Sequence, residues 1–532
     1  MEGGLQLFSE TASNGTGSLK APNFNPSFKK FRARAETVLL FFVLIMFCTA
    51  KAQDQASVYF DSPTLTPFLQ YAVQSGRMQL PFVLSQPYTA LEVRQAVVHS
   101  VRRDLPAWQR HWLQLMVKEI ASYHRVDKDE RTGYGYLGGQ GTVRALSVDG
   151  EGESEVRAEL EGKFTSPWFA LAHKTVFDQR FKKDPAYFGD TGEWIYGRPE
   201  TGYLLARYKG VSGFLGRLSR NWGIPGEKSL ILSDHPYSYD AAGLQLASQR
   251  FRFSFYASRL NDMYAINTQS ADSTYKDYNR FWSIKRFDIA FSPRLQFGFT
   301  EAAVYGDVHG TWQMLYLNPL NLYYVEQRNN RVQMNGLWCA DVFYKPSPRW
   351  TLYAQYLIDD IIINNEPGKN DRGEHPDRMG IMIKAAAADV LSPGSQVGLS
   401  YTRIGNWTYM SYRNYENYIS NGLSMGYPCN SIERIGMDFA WFGWTGWSVQ
   451  LAAAYSKRGE QNITAPFGDS RDKFPRGNVT YSTQLQAAVA YVPSIYWDAA
   501  ATAAFDYYPS ASEGFFQAGL ILHVKYGELF GL

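Results

Sequence analysis

From Gly133 to the end of the chain, apolar and polar residues alternate, and this pattern predicts a series of β-strands. In Phe287–Phe291 and in Leu295–Phe299 every second side chain is apolar, which is the period of a strand that is wet on one face only. Between them lies Pro293, which cannot donate to a β-ladder, so we predict a hairpin tip at Ser292–Arg294. The alternation recurs at 250–255, 448–455, 483–491 and 516–526.

The ends of these strands and their connections favour a membrane barrel over a soluble sheet. Two predicted strands end in tyrosine, at Tyr455 and Tyr491, where an amphipathic ring would anchor at the lipid headgroups. Short connections such as 346–348 contrast with long polar ones at 364–378 and 458–476, and outer-membrane barrels combine short periplasmic turns with long external loops. We therefore predict an all-β transmembrane barrel of the outer-membrane type, with roughly sixteen to eighteen antiparallel strands from the number of strand-like segments.

The segment 53–131 has the period of helices instead. Thr89 and Glu92 form a capping box at the start of one predicted helix, and Pro106 begins another. Polar residues, including Lys118 and Glu119, take the face opposite an apolar stripe that needs a partner surface. We predict that 53–131 is a periplasmic helical segment that plugs the mouth of a barrel formed by 132–532. The stripe comprises Trp108, Trp112, Leu115, Met116, Ile120 and Tyr123.

Residues 1–52 have the features of a leader and signal peptide. Basic residues at 29–34 precede an unbroken apolar run, Val38–Cys48, and Ala50-Lys51-Ala52 supplies a small-x-small cleavage pattern. The run is too short to span a membrane, which takes about 20 apolar residues. We expect cleavage near Ala52 and export, and the sequence leaves the true translation start open.

Composition and charge are consistent with this class. Aromatic residues make up 16% of the chain, yet the mean hydropathy is −0.32, a combination expected when strands show apolar groups to lipid and polar groups to a lumen. A large secreted β-sandwich would share part of this profile. Residues 1–52 hold six of the 53 basic and three of the 50 acidic residues, so the remainder has 47 of each and gives no indication of a nucleic-acid partner. The sequence leaves open whether Cys339 and Cys429 pair.

Several ordered motifs resemble a known family. The segments 217–233, 292–306, 317–321 and 326–330, together with 87–92, are similar to the signature of the capsule assembly Wzi family of Gram-negative outer-membrane proteins. The chain differs from that signature by Ile224, inserted into Trp-Gly-Pro-Gly. The resemblance implies a plugged barrel of about eighteen strands that acts as a lectin and holds capsular polysaccharide on the cell surface. It also implies outer-membrane lipids and the barrel assembly machinery as partners, and we expect a monomer.

The residues themselves point to two kinds of site. Sugar hydroxyls are bound by charged and amide groups and pyranose faces by flat aromatic rings, so the tyrosines and polar residues of 305–327 could form a glycan site. The alternative is a salt-bridged network inside the lumen with Asp341, which we favour for Arg217, Arg286 and Glu301. Beyond Tyr305 the alternation stops, and the mixed composition predicts a folded-in loop. The candidate residues for polysaccharide binding or the lumen network are Arg217, Arg220, Trp222, Arg286, Glu301, Tyr305, Tyr316, Asn318, Asn321, Tyr324, Glu326 and Gln327.

Enzyme signatures are not found in the sequence. Asp234-His235 has no nucleophile of the Gly-x-Ser-x-Gly type near it, and the eight histidines show no metal-binding spacing. We therefore predict no catalytic residue, no metal and no cofactor. The second functional hypothesis is an outer-membrane porin or saccharide channel, against which the predicted plug argues.

Overall fold

The computed structural model describes residues 55–101, 104–124, 133–189, 192, 196–266, 275–330, 333–360, 378–464, 473–509 and 511–531. The predicted leader and its cleavage site lie outside these residues. The centres of the two long loops predicted around Asn370 and Asp469 lie outside them as well.

Nineteen strands of the described residues form one antiparallel sheet that closes on itself where β1 pairs with β21. Strands β7 and β8 both pair with β9 and follow one another along it, so the barrel has 18 strand positions. This confirms the predicted fold, an all-β barrel of the outer-membrane type. The strands are Tyr134–Val148 (β1), Glu151–Thr165 (β2), Phe169–Asp178 (β3), Gly197–Tyr208 (β4), Val211–Arg217 (β5), Asp240–Ala247 (β6), Phe251–Arg259 (β7), Met263–Ile266 (β8), Tyr275–Ser292 (β9), Leu295–Val308 (β10), Asn335–Tyr344 (β11), Trp350–Asp360 (β12), Arg378–Ala388 (β13), Ser395–Ile404 (β14), the short pair Ile419–Ser420 (β15) and Leu423–Ser424 (β16), Ile432–Trp441 (β17), Trp447–Arg458 (β18), Thr480–Tyr491 (β19), Trp497–Tyr508 (β20) and Glu513–Gly531 (β21).

The two ends of the barrel differ in their connections. At one end, called here the turn end, eight connections of two to six residues join the strands, and the predicted tip at Pro293 is one of them. The opposite end, called the loop end, carries the long connections, among them 218–239, 309–334 and 405–431. Outer-membrane barrels have this asymmetry, with the short turns in the periplasm.

The pleat of each strand separates an inner from an outer face. On β9, Arg286 and Asp288 point to the inside, whereas Phe287 and Ile289 point to the outside. On the far side of the barrel the outward residues are exposed apolar side chains: Leu451, Leu485 and Leu520 are 46%, 47% and 66% exposed. Such a band of outward apolar groups is the lipid-facing belt of a membrane barrel.

Within the described residues, three helices precede the barrel, Thr66–Gln74 (α1), Ala90–Ser100 (α2) and Ala107–Tyr123 (α3). The predicted capping box is present at the start of α2, and all six apolar residues predicted for α3 are buried. Glu119 was predicted to lie on the polar face opposite the apolar stripe. The Glu119 side chain is instead buried, at 2% exposed, and its carboxylate pairs with Lys525 Nζ at 2.6 Å. Two short helices, Met314–Leu317 (α4) and Tyr323–Asn330 (α5), follow β10. No helix of the described residues is long and apolar enough to cross a membrane.

The three N-terminal helices lie inside the barrel. Glu92 of α2 forms an ion pair with the inward side chain of Arg252, and Glu119 of α3 pairs with inward Lys525. Ser85 Oγ donates to Asp288 at 2.6 Å. These contacts show the predicted helical plug, held to the inner wall by polar bonds as well as by its apolar stripe.

Candidate functional site

The interior is organised around a buried guanidinium on β9. Arg286 is fully buried and donates to Asp288 at 2.8 Å, to Asp341 at 3.0 and 3.1 Å and to Thr300 at 3.1 Å. A buried charge is tolerated when ion pairs and hydrogen bonds satisfy its donors, as they do here. Because Asp288 also accepts from Ser85, this network joins the plug to the wall. The structure thus brings together Arg286 and Asp341, as the lumen-network prediction expected.

The connection between β5 and β6, residues 218–239, folds into the lumen. Trp222 is 3% exposed, and its carbonyl oxygen accepts from Gln355 Nε2 at 3.1 Å. Asn221 exchanges two backbone hydrogen bonds with Gln86 of the plug, at 3.1 and 3.2 Å. Arg220 is also buried, with its guanidinium 4.1 Å from the centre of the Tyr256 ring. These residues fix the loop to the plug and the wall.

A second connection, 405–431, closes the same part of the lumen from the loop end. Arg280 is fully buried and donates to the carbonyl oxygens of Tyr415, Asn417 and Ile419 at 2.6, 2.8 and 3.1 Å. The hydroxyl of Tyr409 donates to Leu230 O at 2.6 Å, which ties this loop to 218–239. Burial raises the pKa of that hydroxyl, so it stays protonated and keeps donating. The sequence analysis missed Arg280, although a charge between aromatic residues in a strand was a usable signal.

The other side of the lumen, under β17 to β21, holds a cavity of about 610 Å³, which we call the vestibule. Its inner wall carries amide and hydroxyl side chains separated by small residues such as Ala452, Ala488 and Ala504. Gln486 points to the inside by the register of β19 and is nevertheless exposed, because the vestibule lies in front of it. The amide and hydroxyl groups are Gln70, Gln396, Gln450, Gln486, Gln517, Ser400 and Thr502.

The vestibule ends on the plug. Pro67, Gln70, Tyr71 and Gln74 of α1 line it, and on the turn-end side Phe68 and Trp112 pack against Phe442 with ring centres 5.4 Å apart. At the loop end, the neighbouring connections 149–150 and 509–512 are the two shortest of that end. The vestibule is therefore closed toward the turn end, and these two connections are too short to fold over its mouth.

Charged residues border the vestibule in pairs. Lys384 Nζ lies 2.8 Å from Glu227 of the infolded loop and 2.7 Å from Asp438 of β17. The Gln396 amide donates to Gln74 Oε1 at 2.6 Å, while Gln396 Oε1 is buried with no hydrogen-bond partner among the described residues. A buried acceptor without a partner is unfavourable unless water or a ligand supplies the donor.

Glu301 lies on the opposite face of the barrel wall from Arg286. By the β9–β10 register Thr300 faces Arg286 inside, so Glu301 and its partner Lys285 point outward, and their charged atoms are 2.8 Å apart. Glu301 also accepts from Trp338 Nε1 at 2.9 Å and from the Tyr324 backbone N–H at 3.1 Å. The expected grouping of Glu301 with Arg286 in one lumen network is thus not found.

The loop that covers this pair is 309–334, which we call the cap. It contains α4 and α5 and packs on the outer wall, where Tyr305 and Tyr316 stack with ring centres 4.0 Å apart and both are fully buried. The predicted folded-in loop is therefore folded, but onto the outside. The remaining polar candidates form hydrogen bonds within the cap. Asn318 Nδ2 donates to Asn321 Oδ1 at 2.9 Å, and Asn321 Nδ2 donates to Leu315 O at 3.0 Å. Gln327 Nε2 donates to Met334 O at 3.2 Å, and Glu326 lies partly buried on α5.

Arg217 occupies a third place, at the loop-end edge of β5. It pairs with Asp240 at 2.6 Å, and both side chains are partly exposed, so it is separate from the network of Arg286. The twelve candidates thus fall into an interior group, a cap group and this edge residue. Trp222 and Tyr316, two of the aromatic candidates, are buried, with their rings covered by protein. The vestibule, in contrast, is a polar cavity that is open to a ligand.

Comparison with known proteins supports the fold. No protein-family model matches the chain, and no curated protein matches it. Among solved structures, the chain resembles Wzi of Escherichia coli, described as an outer membrane protein involved in group 1 capsule assembly and a carbohydrate binding β-barrel, with a TM-score of 0.58 and 12% identity over 88% of this chain and 99% of that one. It also resembles OccAB4 of Acinetobacter baumannii (TM-score 0.45, 10% identity, 76% and 100% covered) and OprD of Pseudomonas aeruginosa (0.43, 9%, 76% and 97%). The first likeness shows the fold alone, and the two weaker ones carry no argument.

Proposed function

We propose that this protein resides in the Gram-negative outer membrane and binds a surface polysaccharide, of the capsular class or related to it, in the vestibule. The observation that carries the proposal is the dead end: a polar cavity inside a barrel that the plug closes at the turn end. A lumen built for transport has two mouths, whereas a binding site needs one. The Escherichia coli protein of similar fold is a carbohydrate binding barrel, and the motif resemblance supports membership of the capsule assembly Wzi family.

The lining suits a sugar chain. Each glutamine offers two donors and an acceptor, which is what vicinal hydroxyls require, and the alanines between them leave room for a ring. The volume of about 610 Å³ lies within the range of about 300–1,000 Å³ found for small-molecule sites. The carboxylates of Glu227 and Asp438 at the border, both paired with Lys384, add charge-assisted hydrogen bonds for sugar hydroxyls.

The experiment compares two substitutions one residue apart on β19. Ala488→Trp fills the vestibule, and Ala487→Trp places the same ring on the lipid-facing side. In a strain deleted for the protein and complemented with each variant, we expect Ala488→Trp to release polysaccharide into the medium and Ala487→Trp to retain it. Heat-modifiable migration of both proteins would show that both barrels fold. Retention by Ala488→Trp at normal barrel levels would exclude the vestibule as the polymer site.

A channel is the second candidate, because the vestibule extends along the lumen and α1 is what stops it. In planar bilayers we expect the full chain to conduct ions poorly and a variant lacking residues 53–130 to conduct far better. Equal conductance of the two would favour the porin or saccharide channel. Epitope tags at Asn370 and Asp469, accessible on intact cells, would place the loop end outside.

A further inference from the structure

A groove of about 930 Å³ runs along the outside of the barrel near the loop end. Its floor is formed by Leu215, Ala242 and Ala257, which face outward and are neighbours across β5, β6 and β7. The cap forms one wall with Trp312 and Leu317, and Tyr187–Gly189 of the β3–β4 connection forms the other. Because the floor belongs to the outer face, the groove opens toward the surrounding lipid, and Ser420 and Asn421 of the 405–431 loop line its upper end.

The walls expose large apolar groups. Phe188 is 69% exposed and Trp312 is 44% exposed. The Trp312 ring lies 4.7 Å from Phe281, and Tyr187, which precedes Phe188, stacks on Phe181 at 4.8 Å. Exposed rings held in position beside a concave apolar floor form a preorganised surface for apolar chains. Ordered walls also lower the entropy that a bound molecule must overcome.

The upper edge of the groove carries two arginine–aspartate pairs. Arg217 is bound to Asp240, and Arg259 is bound to Asp262 at 3.1 Å. The third arginine nearby, Arg198, donates to Ser238 at 3.2 Å and lies over the Tyr237 ring. Arg259 is 56% exposed and uses Nη2 for its bonds to Asp262, so the guanidinium presents further donors to the groove. Guanidinium groups in pairs favour phosphate.

The height of these groups matches an outer-leaflet lipid. A strand rises ~3.4 Å per residue and tilts by ~40°, which gives ~2.6 Å per residue along the barrel axis. Leu215 and Arg217 lie five and seven residues from their short turn and Arg259 lies nine from its own, hence at ~13, ~18 and ~23 Å from the turn end. The apolar belt of such barrels is about 25 Å tall, so the floor lies in the hydrocarbon and Arg259 lies near its outer boundary, with Arg217 deeper.

We propose that this groove binds one phosphorylated, acylated lipid of the outer leaflet. Its acyl chains lie on Leu215, Ala242 and Ala257, between Phe188 and Trp312, and a headgroup phosphate binds Arg217 and Arg259. A second copy of the chain fits the groove less well, because the floor is recessed between two projecting loops. The inference rests on the proposed outer-membrane location but not on polysaccharide binding.

The test uses the full chain in detergent and counts retained lipids by native mass spectrometry. The probes are lipid A with both phosphates and the same lipid after dephosphorylation. We expect the unsubstituted protein to retain one phosphorylated lipid A, and Ala242→Trp, which fills the floor, to lose it. Ala501→Trp is the matched control, because Ala501 also faces outward but lies on β20. We expect Arg217→Gln/Arg259→Gln to retain the phosphorylated probe about tenfold less and to lose the preference over the dephosphorylated probe.

Each other outcome overturns the proposal. Retention of lipid A by Ala242→Trp at the level of Ala501→Trp would exclude the groove, with heat-modifiable migration as the folding control. Equal retention of both probes by the unsubstituted protein would exclude phosphate recognition. Thermal stabilisation by inorganic phosphate equal to that by lipid A would mean that a free anion, not a lipid, is bound. A dimer mass that disappears in Ala242→Trp would identify a second copy as the occupant.

Discussion

Glu92→Gln is expected to loosen the plug, because it removes one member of an ion pair that is buried on both sides. The side chains of Glu92 and Arg252 are each 7% exposed. The Arg252 guanidinium also lies 4.4 Å from the centre of the Phe82 ring, so it cannot turn to water without breaking that contact. Glu92 accepts from the Thr89 backbone N–H at 2.8 Å and thereby caps α2.

The size of the effect follows from what the substitution leaves behind. Leaving a buried charge without its partner costs about 3–5 kcal/mol, whereas loss of a helix cap costs about 1 kcal/mol. Gln keeps the shape and can still accept from Thr89, so most of the loss comes from the unpaired Arg252. Burial opposes the charged form of Glu92, but Arg252 and Thr89 outweigh burial and lower its pKa. The contribution is therefore present above the ordinary glutamate pKa of about 4.3 and is lost as pH falls through the lowered folded value.

Hydrogen exchange of residues 90–100 at pH 7 measures the loosening directly. We expect faster exchange in Glu92→Gln, a smaller gap between variant and unsubstituted protein in acid, and partial recovery in Glu92→Gln/Arg252→Met, because the double variant leaves no buried charge. Asp262→Asn is the control, since it breaks a partly exposed pair worth at most about 1 kcal/mol. Additive effects of Glu92→Gln and Arg252→Met, without recovery, would refute the reasoning.

Three further outcomes are expected. Neither ring nitrogen of His124 has a hydrogen-bond partner among the described residues, and burial, followed by the charge of Arg94, lowers its pKa to about 4. Between pH 6.5 and 4 the unfolded chain binds a proton that the folded chain does not, so stability should fall by up to about 3 kcal/mol as pH drops, and thermal unfolding of His124→Leu should lack this part of the pH dependence. Arg280→Gln should expose the 405–431 loop to protease on intact cells, whereas Arg403→Gln, at a side chain that is 49% exposed, should not. Glu301→Gln should lower the yield of heat-modifiable barrel, because its buried lysine partner loses a counter-charge worth about 3–5 kcal/mol, and a normal yield would contradict that account.

Much of the barrel could be predicted because lipid and lumen select different residues on the two faces of a strand. The hairpin tip at Pro293 and the alternation of β18, β19 and β21 follow from period two alone. The apolar stripe of α3 could also be predicted, since its residues recur at helical spacing and are buried together. These features depend on neighbours along the chain, which the sequence displays.

The interior was harder to predict because, inside a polar lumen, the polar face of a helix can be buried against charged side chains of the wall. Glu119 is assigned to the polar face opposite the stripe and is nevertheless buried, where it pairs with Lys525 of β21, more than 400 residues away. The vestibule glutamines show the converse: Gln450 and Gln486 are alternating polar residues, but whether they line a cavity depends on where the plug and the infolded loops lie. Both facts are decided by contacts of high sequence separation.

The cap left a signal in the sequence that local alternation does not capture. Lys285 and Arg286 are consecutive, and a strand turns consecutive side chains to opposite faces, so one charge of this pair had to point away from the lumen. A lysine facing lipid at the bilayer midplane costs about 2–4 kcal/mol, less near the interface, and the cost disappears when protein covers the side chain. Glu301 repeats the problem directly across the ladder. Two outward charges at one level therefore require a cover, and the tyrosine-rich stretch that follows β10 is the nearest segment able to supply it. The structure shows that cover: the Asn321 carbonyl accepts from Lys285, and Tyr323 lies 3.8 Å from the Lys285 ammonium group.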